Sequence, residues 1–216
     1  MLLSHKHQFL FVHIAKTGGT SVRKALSSHR WDIKYGLPQF VVNKLSQFTG
    51  HKLGCRFPRH SRIVAASEML PADYFSNLYK FAFVRNPWDL QVSSFYHIKR
   101  ERPQVLEGHD NFKDFMRFKF DPARPYQYHI DTSLQLQSDY LVDLHGNVLV
   151  NKVGKYENLQ GDFDNICEHI GLKKIKLPHK RKADDRKRYR AYYDDDLAEK
   201  VANHFARDIQ MLGYEF

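Results

Sequence analysis

At 216 residues the chain has room for one ordinary domain with a substantial core and too little for two catalytic domains. Its 34 Lys and Arg against 24 Asp and Glu give a net charge of +10, so an anionic ligand or surface is expected. Two cysteines, Cys55 and Cys167, far apart and outside any C-x-x-C spacing, argue against a disulfide framework and against a zinc site and fit a reduced compartment. No signal peptide opens the chain, no apolar run approaches the ~18 residues of a membrane span, and there is no N-x-S/T sequon. The sequence therefore reads as cytosolic, unless a targeting region precedes it.

Short apolar runs at Phe9 to Ile14, Ile63 to Ala66 and Lys80 to Val84 lack alternation and read as strands buried on both faces, as in a parallel sheet. After Thr20, the residues Val22, Ala25 and Leu26 share one helical face. Asn86 and Pro87 supply an N-cap and a first-turn proline for a helix carrying Val92, Phe95 and Tyr96. The segment from Lys99 to Arg124, with Pro103, Gly108 and Pro122, reads as an insertion or mobile region. The stretch "DYLVDLHGNVLVNKVGKYENL" reads as two strands around a His-Gly-Asn turn, and Leu159, Phe163, Ile166 and Ile170 mark a helix closed by Gly171. A last helix carries the stripe Leu197, Val201, Phe205, Ile209 and Leu212, ends at Gly213, and is expected to pack on the sheet. Alternation of strands and helices over the whole chain gives a single α/β domain, residues 1–216.

Two strand-to-helix turns carry the chemistry. In "FLFVHIAKTGGTS", Gly18 and Gly19 let backbone approach a ligand, Thr20 and Ser21 offer hydroxyls at a helix start, and Lys16 adds a point charge. A Walker A loop places its lysine after the last glycine, whereas Lys16 precedes both, which disfavours an ordinary ATPase; a plain turn with a solvated lysine is the bland alternative. In "FAFVRNPWDLQVSSFY", Arg85 at a strand end carries a permanent planar fork suited to phosphate, with Ser93 eight residues on. Taken alone, Arg85 reads equally as an ion-pair partner and Ser93 as an ordinary helix serine. Such turns lie at the carboxyl ends of strands, where open α/β sheets bind ligands.

Together, "HIAKTGGTS" and "FVRNPWDLQVSSFY" resemble the nucleotide-binding signatures of the sulfotransferases that use 3′-phosphoadenosine 5′-phosphosulfate (PAPS), in particular the carbohydrate sulfotransferases and their bacterial relatives. The likeness continues through "VGKYENLQGDF" and the C-terminal stretch from Tyr189 to Phe216 and is weakest over Trp31 to Pro58 and Arg100 to Tyr126. It implies a P-loop-like central parallel sheet flanked by helices. It also implies that Lys16, Thr17, Gly18, Gly19, Thr20 and Ser21 hold the 5′-phosphosulfate, and that Arg85 and Ser93 hold the 3′-phosphate. No metal is required for that chemistry: a lysine beside the loop can stabilise negative charge as it develops on the departing phosphate.

The acceptor hydroxyl must lose a proton, and histidine is the commonest general base. The resemblance puts a histidine shortly before the Arg-Asn-Pro strand, a place that His60 takes in "RHSRIVAASEMLPADYFSNLYKF"; His51 is second choice, and a surface histidine between Arg59 and Arg62 is the bland reading of His60. Those arginines are expected to lower its pKa. Between Lys173 and Arg190, ten Lys or Arg and two Asp make a local +8, either a solvated run or a loop over the nucleotide, with Lys180, Arg181, Arg186 and Lys187 as candidate contacts. The expected reaction transfers a sulfuryl group from PAPS to a carbohydrate or glycoconjugate hydroxyl, without nucleic acid as partner and without a membrane span. The rivals are a non-catalytic binder of polyanions or nucleic acid, whose affinity would fall steeply with salt, and a small-molecule kinase.

Overall fold

The computed structural model describes residues 1–30, 57–109, 111–178 and 186–216, with the isolated positions 41, 45 and 48. Four strands form one sheet in the order β1-β2-β3-β4: β1 (Leu2–Ser4), β2 (Phe9–Val12), β3 (Tyr79–Val84) and β4 (Lys152–Lys155). β2, β3 and β4 run parallel, with Phe11 beside Phe81 and Ala82 beside Val153, and β1 folds back antiparallel on β2. Both faces of the central pair are covered, and its residues are apolar or aromatic except Lys80, whose amine donates to the carbonyls of Phe75, Ser76 and Leu78.

Alternate residues of the central strands serve opposite layers, as strand geometry requires. Leu10, Val12, Ala82 and Val84 pack with Ile63, Ala66, Leu141 and Tyr214. Phe9, Phe11, Phe81 and Phe83 pack with α1 (Gly19–Leu26), through Val22 and Leu26, and with a later helix through Phe163, Ile166 and Cys167. A third apolar cluster stands beside the sheet, where Trp88, Val92, Phe95 and Ile98 meet Phe115, Met116, Leu197 and Phe205.

The run Ile63 to Ala66, expected as a strand, is instead the start of α2 (Val64–Met69), followed by α3 (Ala72–Asn77). Four apolar residues are too few to reveal a period, and the Ala, Glu and Met that follow favour helix until Pro71 ends it. α4 (Pro87–Glu101) starts as its sequence indicates, with the Asn86 side chain accepting from the amides of Trp88 and Asp89.

The segment from Lys99 to Arg124, expected as an insertion or mobile region, contributes α5 (Phe112–Lys119), whose Phe112, Phe115 and Met116 are buried against α4. Lys119 is itself buried and donates to Gln91 Oε1, to Ser133 Oγ at 2.7 Å and to Ser94 Oγ at 3.2 Å, fastening α4 to the segment that follows the short helix α6 (Tyr128–Asp131). Burial holds that amine well below its usual range.

The expected strand pair around His145 and Gly146 reduces to a single bridge between Val142 and Val148, because Asp143 closes the turn on the amides of His145 and Asn147. β4 pairs with β3 instead and leads into α7 (Leu159–His169), which Gly171 closes at φ +69°. The continuous C-terminal stripe is divided at Phe205 into α8 (Asp195–His204) and α9 (Ala206–Leu212). Leu197, Val201 and Phe205 pack on α4 and α5, while Leu212 and Tyr214 reach the sheet cluster. One straight helix could not meet both surfaces. Cys167 is buried as a free thiol, pushed up to about 11 by burial, whereas Cys55 lies outside the described residues.

Candidate active site

A cleft of about 580 Å3 opens where β2 and β3 end, and it gathers most of the residues singled out by sequence. Lys16, Gly18, Gly19, Thr20 and Ser21 form one side; Arg85 and Ser93 line it from the next turn, and His60 from the segment before α2. Thr17 faces away, buried, with its hydroxyl donated to the Ile14 carbonyl at 3.1 Å. Ser21 lines the cleft but donates its hydroxyl to the Pro178 carbonyl at 2.9 Å, which ties the loop to the stretch entering the basic run. His51, Lys180 and Arg181 lie outside the described residues. Lys187 does not line the cleft, whereas Arg186 does.

The glycines are fixed by what surrounds them. Gly18 has φ +80°, and a Cβ there would stand 2.7 Å from Leu159 Cδ2. A Cβ on Gly19 would fall 2.1 Å from the ring of His13. Gly19 and Thr20 start α1 at the cleft, while the Ser21 amide already donates to the Gly18 carbonyl at 3.0 Å. Lys16 also holds a left-handed conformation, φ +67°, which turns its carbonyl to accept from Arg85 Nη1 at 3.0 Å. The two anion sites anticipated separately from sequence are thus directly joined.

Arg85 is held on every side. Its Nε and Nη2 face Asp89 Oδ2 at 2.7 Å, its guanidinium lies 3.8 Å above the Tyr156 ring, and it is only 3% exposed. Its backbone amide donates to Gln137 Oε1 and its carbonyl accepts from Gln137 Nε2, both at 2.8 Å. The buried Asp208 carboxylate accepts in turn from the amides of Gln137 and Ser138, at 2.7 and 2.8 Å. Sequence reasoning passed over Tyr156, Gln137 and Asp208, which stand 52 or more residues from Arg85 and carry no local signal. Asp89, one helical turn from Arg85, was readable as an i,i+4 ion-pair partner.

His60 is half-buried, and its Nδ1 lies 2.9 Å from the His13 carbonyl. A carbonyl only accepts, so Nδ1 carries the proton of the neutral ring and Nε2 keeps its lone pair. Burial lowers the His60 pKa first; the bond to His13 opposes that shift, while Arg59, the N-terminal amine and Arg23 add to it. Arg62, expected to contribute, pairs with Asp139 at 3.1 Å.

His13, another residue missed from sequence, packs its ring 4.7 Å from that of His60 and is pulled down to about 2, by burial above all and then by His60 and nearby cations. The unfolded histidine titrates near ~6.5, so below that pH the unfolded chain binds a proton that the native state refuses. Stability from this group is complete above pH ~6.5 and falls as pH falls, at up to ~1.4 kcal/mol per unit. We expect His13 to account for about 2–3 kcal/mol lost between pH ~6.5 and ~4.5, with His13→Asn giving a correspondingly flatter profile in denaturant melts. An equal acid slope in the variant would remove His13 from this role.

Among the described residues, no group of three or more His, Cys, Asp or Glu is placed to hold a metal ion, and no helix is long and apolar enough to cross a membrane.

A glycine loop with its lysine and an arginine at the adjacent strand end thus sit at the edge of a parallel-dominated sheet in a mixed α/β fold. The architecture is similar to the crystal structure of a sulfotransferase from Alicyclobacillus acidocaldarius, with a TM-score of 0.51 and 18% identity over 97% of this chain and 96% of that one. A family model described as the sulfotransferase family matches residues 1–215, and the chain belongs to that family. Sulfuryl transfer is the chemistry this membership supports. No curated protein gives a significant sequence match.

Proposed function

We infer that residues 1–216 form one sulfotransferase domain that moves a sulfuryl group from PAPS to a hydroxyl of a carbohydrate or glycoconjugate. The observation that carries this reading is the pairing of two cationic strand-end sites in one cleft, with Arg85 donating to the Lys16 carbonyl between them. A nucleotide bearing phosphate at both its 3′ and 5′ positions needs two such sites, whereas ATP needs one extended cradle. The amides of Gly19 and Thr20 at the start of α1, on a turn where neighbouring side chains leave no room for a Cβ, suit a 5′-phosphosulfate. Arg85 and Ser93 suit the 3′-phosphate.

The donor brings an activated sulfuryl group to the loop. There Lys16 and the first amides of α1 stabilise the charge that grows on the bridging oxygen as its bond to sulfur breaks. His60 Nε2 takes the acceptor's proton while the acceptor oxygen bonds to sulfur, leaving a sulfate ester and adenosine 3′,5′-bisphosphate. Tyr96, Tyr128 and His129 line the cleft and offer ring faces to a sugar, with Arg59 and Arg100 nearby for an anionic one.

Calorimetry with EDTA present tests the nucleotide assignment. Adenosine 3′,5′-bisphosphate should bind without added metal, and more tightly than ATP. A folded sample that ignores the bisphosphate, or prefers ATP, would favour the kinase reading; weak binding of every polyanion with a uniform salt dependence would favour the non-catalytic one.

A further inference from the structure

Asp89 has no part in the reaction just described, yet its carboxylate joins the two guanidinium groups of the cleft. Oδ2 faces Nε and Nη2 of Arg85, and Oδ1 takes Nη2 of Arg186, which also reaches the Asp89 backbone carbonyl at 3.2 Å. Arg85 and Arg186 line the cleft, while Asp89 lies behind them and does not. Asp89 is itself anchored in the first turn of α4, where Asn86 Oδ1 accepts from its amide at 3.2 Å and the helix terminus favours a negative charge. The Tyr193 hydroxyl, from the stretch after the basic run, donates to the neighbouring Trp88 carbonyl at 2.8 Å and fastens the same corner.

Two cations and one carboxylate leave this cluster one positive charge in excess, beside a cleft suited to a phosphate monoester that carries between one and two negative charges. Without the carboxylate, the two guanidiniums would repel each other in a corner where Arg85 is buried, and among their described hydrogen bonds only those to Asp89 are shared. The described hydrogen bonds of the Arg186 side chain go to Asp89, so losing the carboxylate would also loosen this side chain from the cleft.

We propose that Asp89 is a positioning residue for the 3′-phosphate subsite: it braces Arg85 from behind and recruits Arg186, so that both forks present to the same phosphate. This rests on the PAPS reading. Each guanidinium brought to bear should be worth about tenfold or more in affinity, as charge-assisted hydrogen bonds are. The effect belongs to the 3′-phosphate alone, because the 5′ side is held by the glycine loop.

The test compares adenosine 3′,5′-bisphosphate with adenosine 5′-monophosphate by calorimetry on the full chain, using wild type, Asp89→Asn, Arg186→Ala and the double variant. Asp89→Asn should lower the preference for the bisphosphate about tenfold or more while the monophosphate affinity stays within about twofold. Arg186→Ala, which leaves the helix cap intact, should lower that preference by a similar factor, and the double variant should lose no more than Asp89→Asn alone. Unchanged or tighter bisphosphate binding in Asp89→Asn would make the carboxylate a competitor for the arginines and overturn the proposal. So would an unaltered preference in Arg186→Ala, or losses that simply multiply. If wild type binds neither nucleotide, the PAPS reading itself fails and the proposal falls with it; if wild type binds both and the preference survives substitution, only the role of Asp89 is lost.

Discussion

Replacing Lys16 with alanine should lower turnover by roughly 10²–10³ while leaving the affinity for PAPS close to that of wild type. The side chain is a cation whose value rises as the bridging oxygen becomes an anion, a charge that bound PAPS does not yet carry there. The backbone at this position has a separate duty. Its left-handed conformation directs the carbonyl to Arg85, and alanine adopts that conformation no more easily than lysine does, so truncation removes the charge without relaxing the link between the two anion sites. Lys16→Gly would relax both and serves as the contrast. Turnover, and PAPS affinity without acceptor, measured on one preparation check the expectation. A folded Lys16→Ala with an undiminished rate would remove this lysine from the chemistry.

His60→Ala should cost about 10²–10⁴ in rate, the usual contribution of a positioned general base, with little change in bisphosphate affinity. The wild-type rate should climb with pH through a titration below histidine's ordinary ~6.5, because only the neutral ring accepts a proton and burial disfavours the charged one. The bond from Nδ1 to the His13 carbonyl fixes which nitrogen acts, so His60→Gln, able to occupy the space but not to accept a proton, should be as inactive as alanine. That limb should be absent in both variants. Parallel profiles for His51→Ala separate the two histidines named from sequence. If His60→Ala keeps its rate and its acid limb while His51→Ala loses both, the base is His51.

Those parts of the fold that depend on neighbours in sequence were legible beforehand. Phe9 to Ile14 and Lys80 to Val84 read as strands because burial on both faces favours largely apolar runs, and the strands formed are Phe9–Val12 and Tyr79–Val84. Asn86 and Pro87 announced their helix for local reasons, a side-chain acceptor for two amides and a preset φ. Ile63 to Ala66 misled because four residues show no period. The break at Phe205 was invisible for another reason: the stripe from Leu197 to Leu212 is regular, and the division reflects two separate packing surfaces and the need for Asp208 to reach the amides of Gln137 and Ser138.

The candidate site divides in the same way. The glycine loop and the Arg85 turn each sit within one short stretch, so their chemistry could be read directly. What braces them could not, since Tyr156, Gln137 and Asp208 come from distant elements and are ordinary residues in their own surroundings. His13 was passed over because an apolar strand conceals its ring, and only the three-dimensional arrangement brings its carbonyl to His60 and its imidazole against Gly19.

Transfer from PAPS labelled in its sulfuryl group, screened across glycans and small hydroxyl compounds, bears most directly on the central claim. Label should move from the nucleotide to a carbohydrate hydroxyl with wild-type protein, with one adenosine 3′,5′-bisphosphate released per sulfate ester formed and no metal added, and it should move at least a hundredfold more slowly with Lys16→Ala. A folded wild-type protein that leaves the label on the nucleotide with every acceptor, while passing the γ-phosphate of ATP to one of them, would contradict the account.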